Sequence, residues 1–465
     1  LLHFLVWQCP VMKLGLPFTA AVAADHGWKF LHAYPKQYVA RALGKGQSIE
    51  IDGDLSDAAW GEVPFTSTPF EDIAQPLFPN YVLPKQYASR VKVRWDADFL
   101  YVAAELGEPF VTGVVTGHNP TLSSPNPIGN VPYYDNDFEV FVDVSGTNYY
   151  YKEFEMNYLN ATYDVLWRAA DTGLGSTGVP CCDDNSCARW CQNSTYPLFK
   201  GTWSMFPRMR TATGRTKTGW VAEIAFPLRG DAAAGGLLDG GADWEQFDPN
   251  KGARYWMMDF SRAEHPFFTS NSSNFGVLCP LVQKTQPTLL GQDQWSCYWE
   301  WAWQSVGGHR YMHNPNTWGY VQMASGKETV CRDVQWPTRH LLSQIYQLQI
   351  AKVQAEGSYT ADLLSSVKSY CTIANGCNAT TVMEAATTYS KLFNLQLTVD
   401  NNDTSCVLYG VKGSGSAPTG GPCFRASVSM VLDSGDRVQG VIDESRYLNV
   451  TSSGSGCLDD QVSWL

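Results

Sequence analysis

From Asp135 to Trp167 the chain reads DNDFEVFVDVSGTNYYYKEFEMNYLNATYDVLW, and side chains change character at every second residue. Phe138, Val140, Val142 and Val144 share one parity, with Glu139 and Asp143 on the other. After a turn at Gly146–Asn148, Phe154, Met156 and Tyr158 alternate with Glu153, Glu155 and Asn157. A third run sets Tyr163, Val165 and Trp167 against Asp164 and Arg168. A period of two belongs to strands with one apolar and one polar face. The polar sides, with Glu155, Asn157 and Asp164, are the first place to look for a binding surface.

The same period recurs along residues 48–323. The segment SIEIDGDLSDAAW predicts a strand, a turn at Asp52–Asp54 and a short helix capped by Ser56. SRVKVRWDADFLYVAAEL predicts a hairpin turning at Asp96–Asp98, with Val91, Val93 and Trp95 inward. GWVAEIAFPL places Trp220, Ala222, Ile224 and Phe226 on one face and ends at Pro227. RYWMMDFSRAEH and TWGYVQMA add two more strands. The expected fold class is mainly β, a β-sandwich, with a C-terminal α+β appendage. The stretches 169–216 and 266–316 are decorations by this reading, since ordinary connections are shorter.

From about residue 326 the pattern becomes helical. PTRHLLSQIYQLQIAKVQ predicts an amphipathic helix capped by Thr338, with Leu341, Leu342, Ile345 and Leu348 on one face and Gly357 beyond its end. Two shorter helices follow, YTADLLSSVKSYC and ATTVMEAATTYSKLF, then the strands FNLQLTV, CVLYGV, CFRASVSMVL and RVQGVID. In order of elements this part resembles the globular part of type IV pilins. The expected organisation is a leader over 1–33, a sandwich with Cys-rich insertions over 34–325, and an α+β region over 326–465.

The 465 residues carry a formal charge of −12 and no basic run, which argues against nucleic acid and anionic surfaces and for a neutral partner. No stretch has eighteen successive apolar residues, so no membrane span is expected. Six N-x-S/T sequons, at Asn160, Asn193, Asn271, Asn378, Asn402 and Asn449, point to the secretory route. So do 13 cysteines, read as disulfide staples of a secreted or extracellular-surface protein. The candidates are Cys181, Cys182, Cys187, Cys191, Cys279, Cys297, Cys331 and Cys457, with the close pairs Cys371/Cys377 and Cys406/Cys423. MKLGLPFTAAVAA, from Met12, has a signal-peptide pattern; a start there would leave Cys9 outside and twelve cysteines to pair.

Seven segments occur in the order found in family 9-like carbohydrate-binding modules, over about residues 34–324. They are YPKQYVARAL, IEIDGDLSDAAWGEVPFT, VKVRWDADFLYVAAEL, DNDFEVFVDV, GWVAEIAFPL, MMDFSRAEH and PNTWGYVQMA. The resemblance implies a β-sandwich of the wider DOMON-like group that binds sugars rather than cleaving them. It also implies two tryptophans enclosing a sugar at a chain end, with calcium nearby. The Cys-rich insertion at 181–191 and the long segment before Trp295 depart from the family, so the choice of sugar does not carry over.

A neutral sugar needs a flat aromatic against its C–H face and fixed polar groups for its hydroxyls. Candidates are Trp318, Trp167, Glu155, Asn157, Asp164, Arg262, Trp301 and Trp303, the last two from the run WSCYWEWAW. Trp95 and Trp220 fall in phase with the core, and Trp167 has both readings. Glu155 and Arg262 equally suit a structural ion pair. Asp135, Asp137 and Glu139 offer oxygen ligands to calcium, though their spacing is not that of a known calcium loop and a solvated strand start is the better reading. His118, His265 and His313 stand alone in sequence.

The expected function is non-catalytic extracellular binding of a neutral polysaccharide or glycan. One alternative is a structural cell-surface or matrix glycoprotein that self-assembles. Another is a haem-binding DOMON-type redox module, for which Met257, Met258, Met312 and His313 are the conceivable ligands. Glycoside hydrolysis needs two carboxylates across a cleft, and no motif ties such a pair together.

Overall fold

The computed structural model describes residues 33–73, 83–113, 115–117, 132–134, 136–170, 179–180, 208–230, 235–238, 244–252, 254–264, 299–306, 312–403, 405–408, 419–432, 435–454 and 457–458. Thirteen strands form one mixed sheet: β1 (Gln37–Ala42), β2 (Glu71–Asp72), β3 (Ser89–Trp95), β4 (Phe99–Gly107), β5 (Asp137–Asp143), β6 (Tyr149–Asn157), β7 (Thr162–Ala169), β8 (Val179–Pro180), β9 (Arg210–Arg215), β10 (Gly219–Pro227), β11 (Tyr255–Glu264), β12 (Trp299–Ala302) and β13 (Gly319–Ala324). The order is β8-β7-β6-β5-β11-β13-β1-β3-β4-β10-β9, with β12 on β11 and β2 on β12. Pairing is antiparallel except where β1 runs parallel to β13 and β3.

The sheet curls until its two wings face each other. Phe154 of β6 meets Phe226 of β10 edge-on at 5.2 Å. The Thr213 Oγ1 on β9 donates to the Tyr158 carbonyl at 2.8 Å, joining the wings at one end. Between them lie Phe138, Val140, Val91, Val93, Trp95, Trp220, Ile224 and Phe260, all buried. These are the inward-phased positions of the alternating runs, and Trp95 and Trp220 take the core role expected of them. The Asp96–Asp98 hairpin forms as expected, with Asp96 Oδ1 accepting from the Asp98 and Phe99 amides.

Two local expectations change. Residues 48–50 form no strand, and the short helix α1 (Ala58–Gly61) starts after Asp57 rather than Ser56. The Asp57 carboxylate instead accepts from the Glu50 amide, fastening the loop back onto itself.

The C-terminal part contains α2 (Trp336–Glu356), α3 (Leu363–Tyr370), α4 (Ala379–Ala386) and α5 (Ser390–Phe393). Its strands are β14 (Arg332–Asp333), β15 (Gln396–Asp400), β16 (Cys406–Leu408), β17 (Thr419–Gly421), β18 (Cys423–Val431), β19 (Arg437–Asp443), β20 (Leu448–Ser452) and β21 (Cys457–Leu458). An antiparallel sheet β15-β18-β19-β20 packs on α2. Thr338 does not cap α2: the helix begins at Trp336 with proline in its first turn, which costs nothing there, and Thr338 is buried inside it. The apolar face Leu341, Leu342, Ile345 and Leu348 is buried as expected. Ser343, Gln347 and Gln349 on its other sides are buried too, because α2 shares one core with the outer face of the large sheet, through Phe141, Tyr151, Met257 and Tyr320. Gln349 meets that burial by exchanging two hydrogen bonds with the Thr360 backbone, at 2.7 and 2.9 Å.

Two glycines permit this packing. A side chain on Gly440 of β19 would lie 2.5 Å from Thr338 and 2.8 Å from Leu342, so only glycine lets the helix approach. Gly146, at φ 63°, sits in the β5–β6 turn against Met257 and Arg339. Disulfides join Cys331 to Cys457, Cys371 to Cys377 and Cys406 to Cys423. The last two are the close pairs read from the sequence. Cys181, Cys182, Cys187, Cys191, Cys279 and Cys297 lie outside the described residues, as do residues 1–32 of the expected 1–33 leader.

Candidate functional site

Strand register assembles the site. On the outer face of β7-β6-β5-β11-β12, one row runs Tyr163, Glu155, Glu139, Ser261 and Ala302, each directly opposite the next. The adjacent row runs Val165, Glu153, Phe141 and Asp259. Next to it Trp167 faces Tyr151. Side chains two apart on a strand and directly opposite across strands share a face, so acids and aromatics meet on one surface.

The aromatic end is fixed by mutual contact. The Trp167 indole stacks on Tyr151 at 6.2 Å and 13°, and lies 4.5 Å from the His313 ring. Tyr151 Oη and His313 Nδ1 are 3.1 Å apart. Burial holds the His313 pKa down to about 4, so the ring is neutral. Trp167 is only partly buried, and its Nε1 donates to Glu153 Oε2 at 2.5 Å.

The acidic end is electrostatically loaded. Glu139, Glu153 and Glu155 are buried, and desolvation pushes the pKa of each upward. The charge of Glu139 adds to the rise at Glu153, and those of Glu153, Glu139 and Asp137 add to it at Glu155. Ser261 Oγ bonds Glu139 Oε2 and the Tyr133 amide donates to Glu155 Oε2 at 3.0 Å, both opposing the rise. Glu300, opposite Ala263 on β12, is raised by desolvation and then by Glu139 and Glu153. Carboxyls held near neutrality in this way both donate and accept hydrogen bonds.

The expected residues divide between the two faces. Glu155, Asn157 and Trp167 stand on the outer face, as register requires. Asn157 is spent internally: Nδ2 donates to the Val115 carbonyl and Oδ1 accepts from the Ala161 amide. Asp164 lies opposite Phe154, on the inner face, so it does not join Glu155. The four-residue connection Tyr158–Ala161 sets that register, and it places Tyr163 and Trp167 with the acids instead.

Trp318 is fully buried on the outer side, against Phe141 at 5.5 Å and Tyr151 at 5.4 Å, with Nε1 donating to the Met312 carbonyl. It supports the aromatic set and shows no face to a ligand. Trp301 and Trp303 are buried in the sandwich. Arg262 is buried with them, its guanidinium 5.1 Å over the Trp301 ring. It pairs with Glu108 at 3.0 Å and Glu264 at 2.5 Å, and donates to the Gly107 carbonyl. Arg262 and Glu155 are on opposite faces of the sheet; Arg262 has the structural ion pair, with other partners.

For calcium, Asp135 lies outside the described residues. Asp137 Oδ1 accepts from the Ala263 amide and Glu139 is bonded to Ser261. Among the described residues the one acid/Cys/His trio with ligand atoms mutually within 4.8 Å is Asp403, Cys406 and Cys423, and its cysteines are joined in a disulfide. Asp137 and Glu139 form no such trio. Of the conceivable haem ligands, Met258 points into the sandwich, while Met257 and Met312 lie in the outer cluster with Phe141 and Tyr151, against which His313 packs. His118 and His265 lie outside the described residues. No helix among the described residues is long and apolar enough to cross a membrane.

Two open cavities flank the sandwich. One of about 880 Å³ is lined by Lys85, Arg90, Glu105, Glu108, Arg215 and Lys217. The other, of about 740 Å³, lies where the turn between β5 and β6 meets α2 and β20.

Sequence reasoning missed Glu153, Tyr163, Ser261 and Glu300 as members of the face. Glu153 and Tyr163 carried a signal, their parity relative to Glu155. Ser261 and Glu300 carried none, because they arrive through the pairing of β11 with β5 and of β12 with β11, strands that are not neighbours in any short stretch of sequence.

No protein-family model matches the chain, and no curated protein matches it. Solved structures do. A family 9 carbohydrate-binding module from Caldicellulosiruptor kristjanssonii in complex with cellotriose is similar over 64% of this chain and 99% of its own, at 15% identity and a TM-score of 0.32. The same kind of module from that organism in complex with glucose covers 63% and 99%, at 15% identity and 0.31. A candidate carbohydrate-binding protein from Bacteroides uniformis covers 62% and 99%, at 14% identity and 0.33. Carbohydrate-binding family 9 is also the family that the seven sequence segments resemble.

Proposed function

We propose that this chain binds a neutral saccharide on the outer face of β5–β7 and β11, and leaves it chemically unchanged. The observation that carries the reading is the partly exposed Trp167 indole, held by Glu153 on the same sheet face as the row Glu155, Glu139 and Tyr163. A sugar ring lays its C–H face on the indole. The carboxyls behind the indole are buried and held near neutrality, which suits a partner with no charge of its own. The anchored indole loses little freedom on binding, so ligand binding does not have to order it.

The bond to Glu153 also orients Trp167. Glutamine at that position keeps an acceptor but removes the titrating group. Cello-oligosaccharides and glucose, the ligands of the similar modules, are natural first probes. Calorimetric titration of the glycosylated protein and of Trp167→Ala tests the reading. Binding by the first and at least tenfold weaker binding by the second supports it. Equal affinity in both removes Trp167 from the site. Secretion, and a calcium ion near Asp135, Asp137 and Glu139, belong to the same proposal; titration with and without a chelator reports on the ion.

A further inference from the structure

The cavity of about 740 Å³ is built jointly by the sandwich and the C-terminal part, with walls from Tyr150, Phe247, Arg254, Tyr255, Gln335 and Tyr447. Asn449, Val450 and Thr451 form another wall, and they are a complete N-x-T sequon. On β20 the residues alternate: Leu448 and Val450 turn inward to α2, while Asn449 and Thr451 are exposed. The mouth is rigid. Asn148 Nδ2 donates to the Arg446 carbonyl, the Leu448 amide to the Thr147 carbonyl, and Tyr149 Oη to the Ser445 carbonyl, at 2.9, 3.2 and 2.9 Å. Tyr447 packs edge-on to Tyr149 at 5.3 Å.

The sequons of the described residues differ in what their asparagines do. Asn378 caps α4, its Oδ1 accepting from the Thr380 and Thr381 amides. Asn160 Nδ2 donates to the Thr211 carbonyl from a backbone at φ 59°. Asn402 stands exposed on the loop after β15. Asn449 lines the cavity of about 740 Å³, which holds aromatic rings beside hydrogen-bonding side chains, whereas Asn378, its side chain spent on the cap, borders a smaller one of about 240 Å³.

We propose that Asn449 carries an N-linked glycan whose innermost sugars lie in this cavity, so that the chain supplies the cavity's occupant itself. The transfer balances: a bond forms between Asn449 Nδ2 and the anomeric carbon of N-acetylglucosamine, and that carbon's bond to phosphate in a lipid-pyrophosphate oligosaccharide donor breaks. The lipid pyrophosphate leaves and the amide proton is released. Aromatic walls cover the sugars' C–H faces, while Arg254 and Gln335 are within reach of their hydroxyl and acetamido groups. The glycan then bridges the β5–β6 turn and β20, adding a contact between the two parts of the chain.

The test uses the unaltered protein from a eukaryotic secretory host. Native and denatured samples are treated with a peptide:N-glycosidase, and glycopeptides containing Asn449 and Asn402 are followed by mass spectrometry. The expected result is release from Asn402 in both samples, with release from Asn449 at least tenfold slower in the native one. Equal native rates at the two positions, or an Asn449 peptide without glycan, would overturn the proposal. Thr451→Ala, which removes the sequon and keeps Asn449, should lower the melting temperature by a few degrees; an unchanged value would contradict a bridging role.

Discussion

The Trp167 indole donates its N–H to Glu153 across the β6–β7 pair at 2.5 Å. One bond therefore fixes the ring that would receive a sugar and occupies one oxygen of a buried acid. Trp318 lies behind it, separated by Tyr151, with its own N–H satisfied by the Met312 carbonyl. The two tryptophans divide the work between surface and support.

That division predicts opposite phenotypes. Trp318→Ala removes a fully buried indole and should cost about 3–5 kcal/mol of stability, measured by urea unfolding. Trp167→Ala should cost far less. Equal losses would mean that Trp167 is also core.

Arg262 is a structural residue by its surroundings, with no exposure and two acid partners. Arg262→Ala strands Glu108 and Glu264 in the interior and should cost about 3–5 kcal/mol. Arg262→Met combined with Glu108→Gln and Glu264→Gln should recover a large part of that loss. No recovery would place the cost in lost packing against Trp301 instead of uncompensated charge.

The pH dependence has a definite sign. In the folded state Glu139 rises from 4.5 to about 7 and Glu153 from 4.5 to about 8, with desolvation the largest cause in each. Folded carboxyls keep protons that the unfolded chain has already released, so their contribution is fully present below the unfolded value and is lost as pH rises through the folded ones. His313 works the other way: lowered from 6.5 to about 4, it removes stability as pH falls through that window. Two raised carboxyls outweigh one lowered imidazole, so the contribution of these groups should be greatest near ~pH 4 and fall steadily toward pH 8, with Glu153→Gln flattening that fall in a thermal-melt series. A melting temperature that climbs from pH 6 to pH 8 would contradict this account.

The Cys331–Cys457 disulfide closes a loop of 126 residues and holds β14 to β21. Replacing both cysteines with serine should cost roughly 4–5 kcal/mol by loss of chain constraint, read from the unfolding midpoint. The pair Cys371–Cys377, only 6 residues apart, should cost markedly less. The reverse ranking would mean that local packing, not loop length, dominates.

Much of the fold was legible because alternation is a local property. The inward phases of Val91, Val93, Trp95, Trp220 and Phe226 could be read directly, and so could the close cysteine pairs. The site was legible only in part. Glu155 and Trp167 were named, but Asp164 was grouped with Glu155 because the connection Tyr158–Ala161 decides the register between β6 and β7. Trp301, Trp303 and Trp318 were named for their ring chemistry, whereas burial depends on strand order and on the packing of α2, neither of which is written in any short stretch. The burial of Ser343, Gln347 and Gln349 in α2 was hidden for the same reason: it depends on what packs around the helix, such as Thr360 against Gln349 and Gly146 against Arg339.

The most direct measurement is the affinity of the intact protein, made in a eukaryotic secretory host, for a saccharide panel that includes cellotriose and glucose, compared with Trp167→Ala and Glu153→Gln at pH 6. The account predicts saturable binding by the unaltered protein, at least a tenfold loss in Trp167→Ala, and a smaller loss in Glu153→Gln. An unaltered protein that binds no saccharide, or a Trp167→Ala variant that binds as tightly, would contradict it.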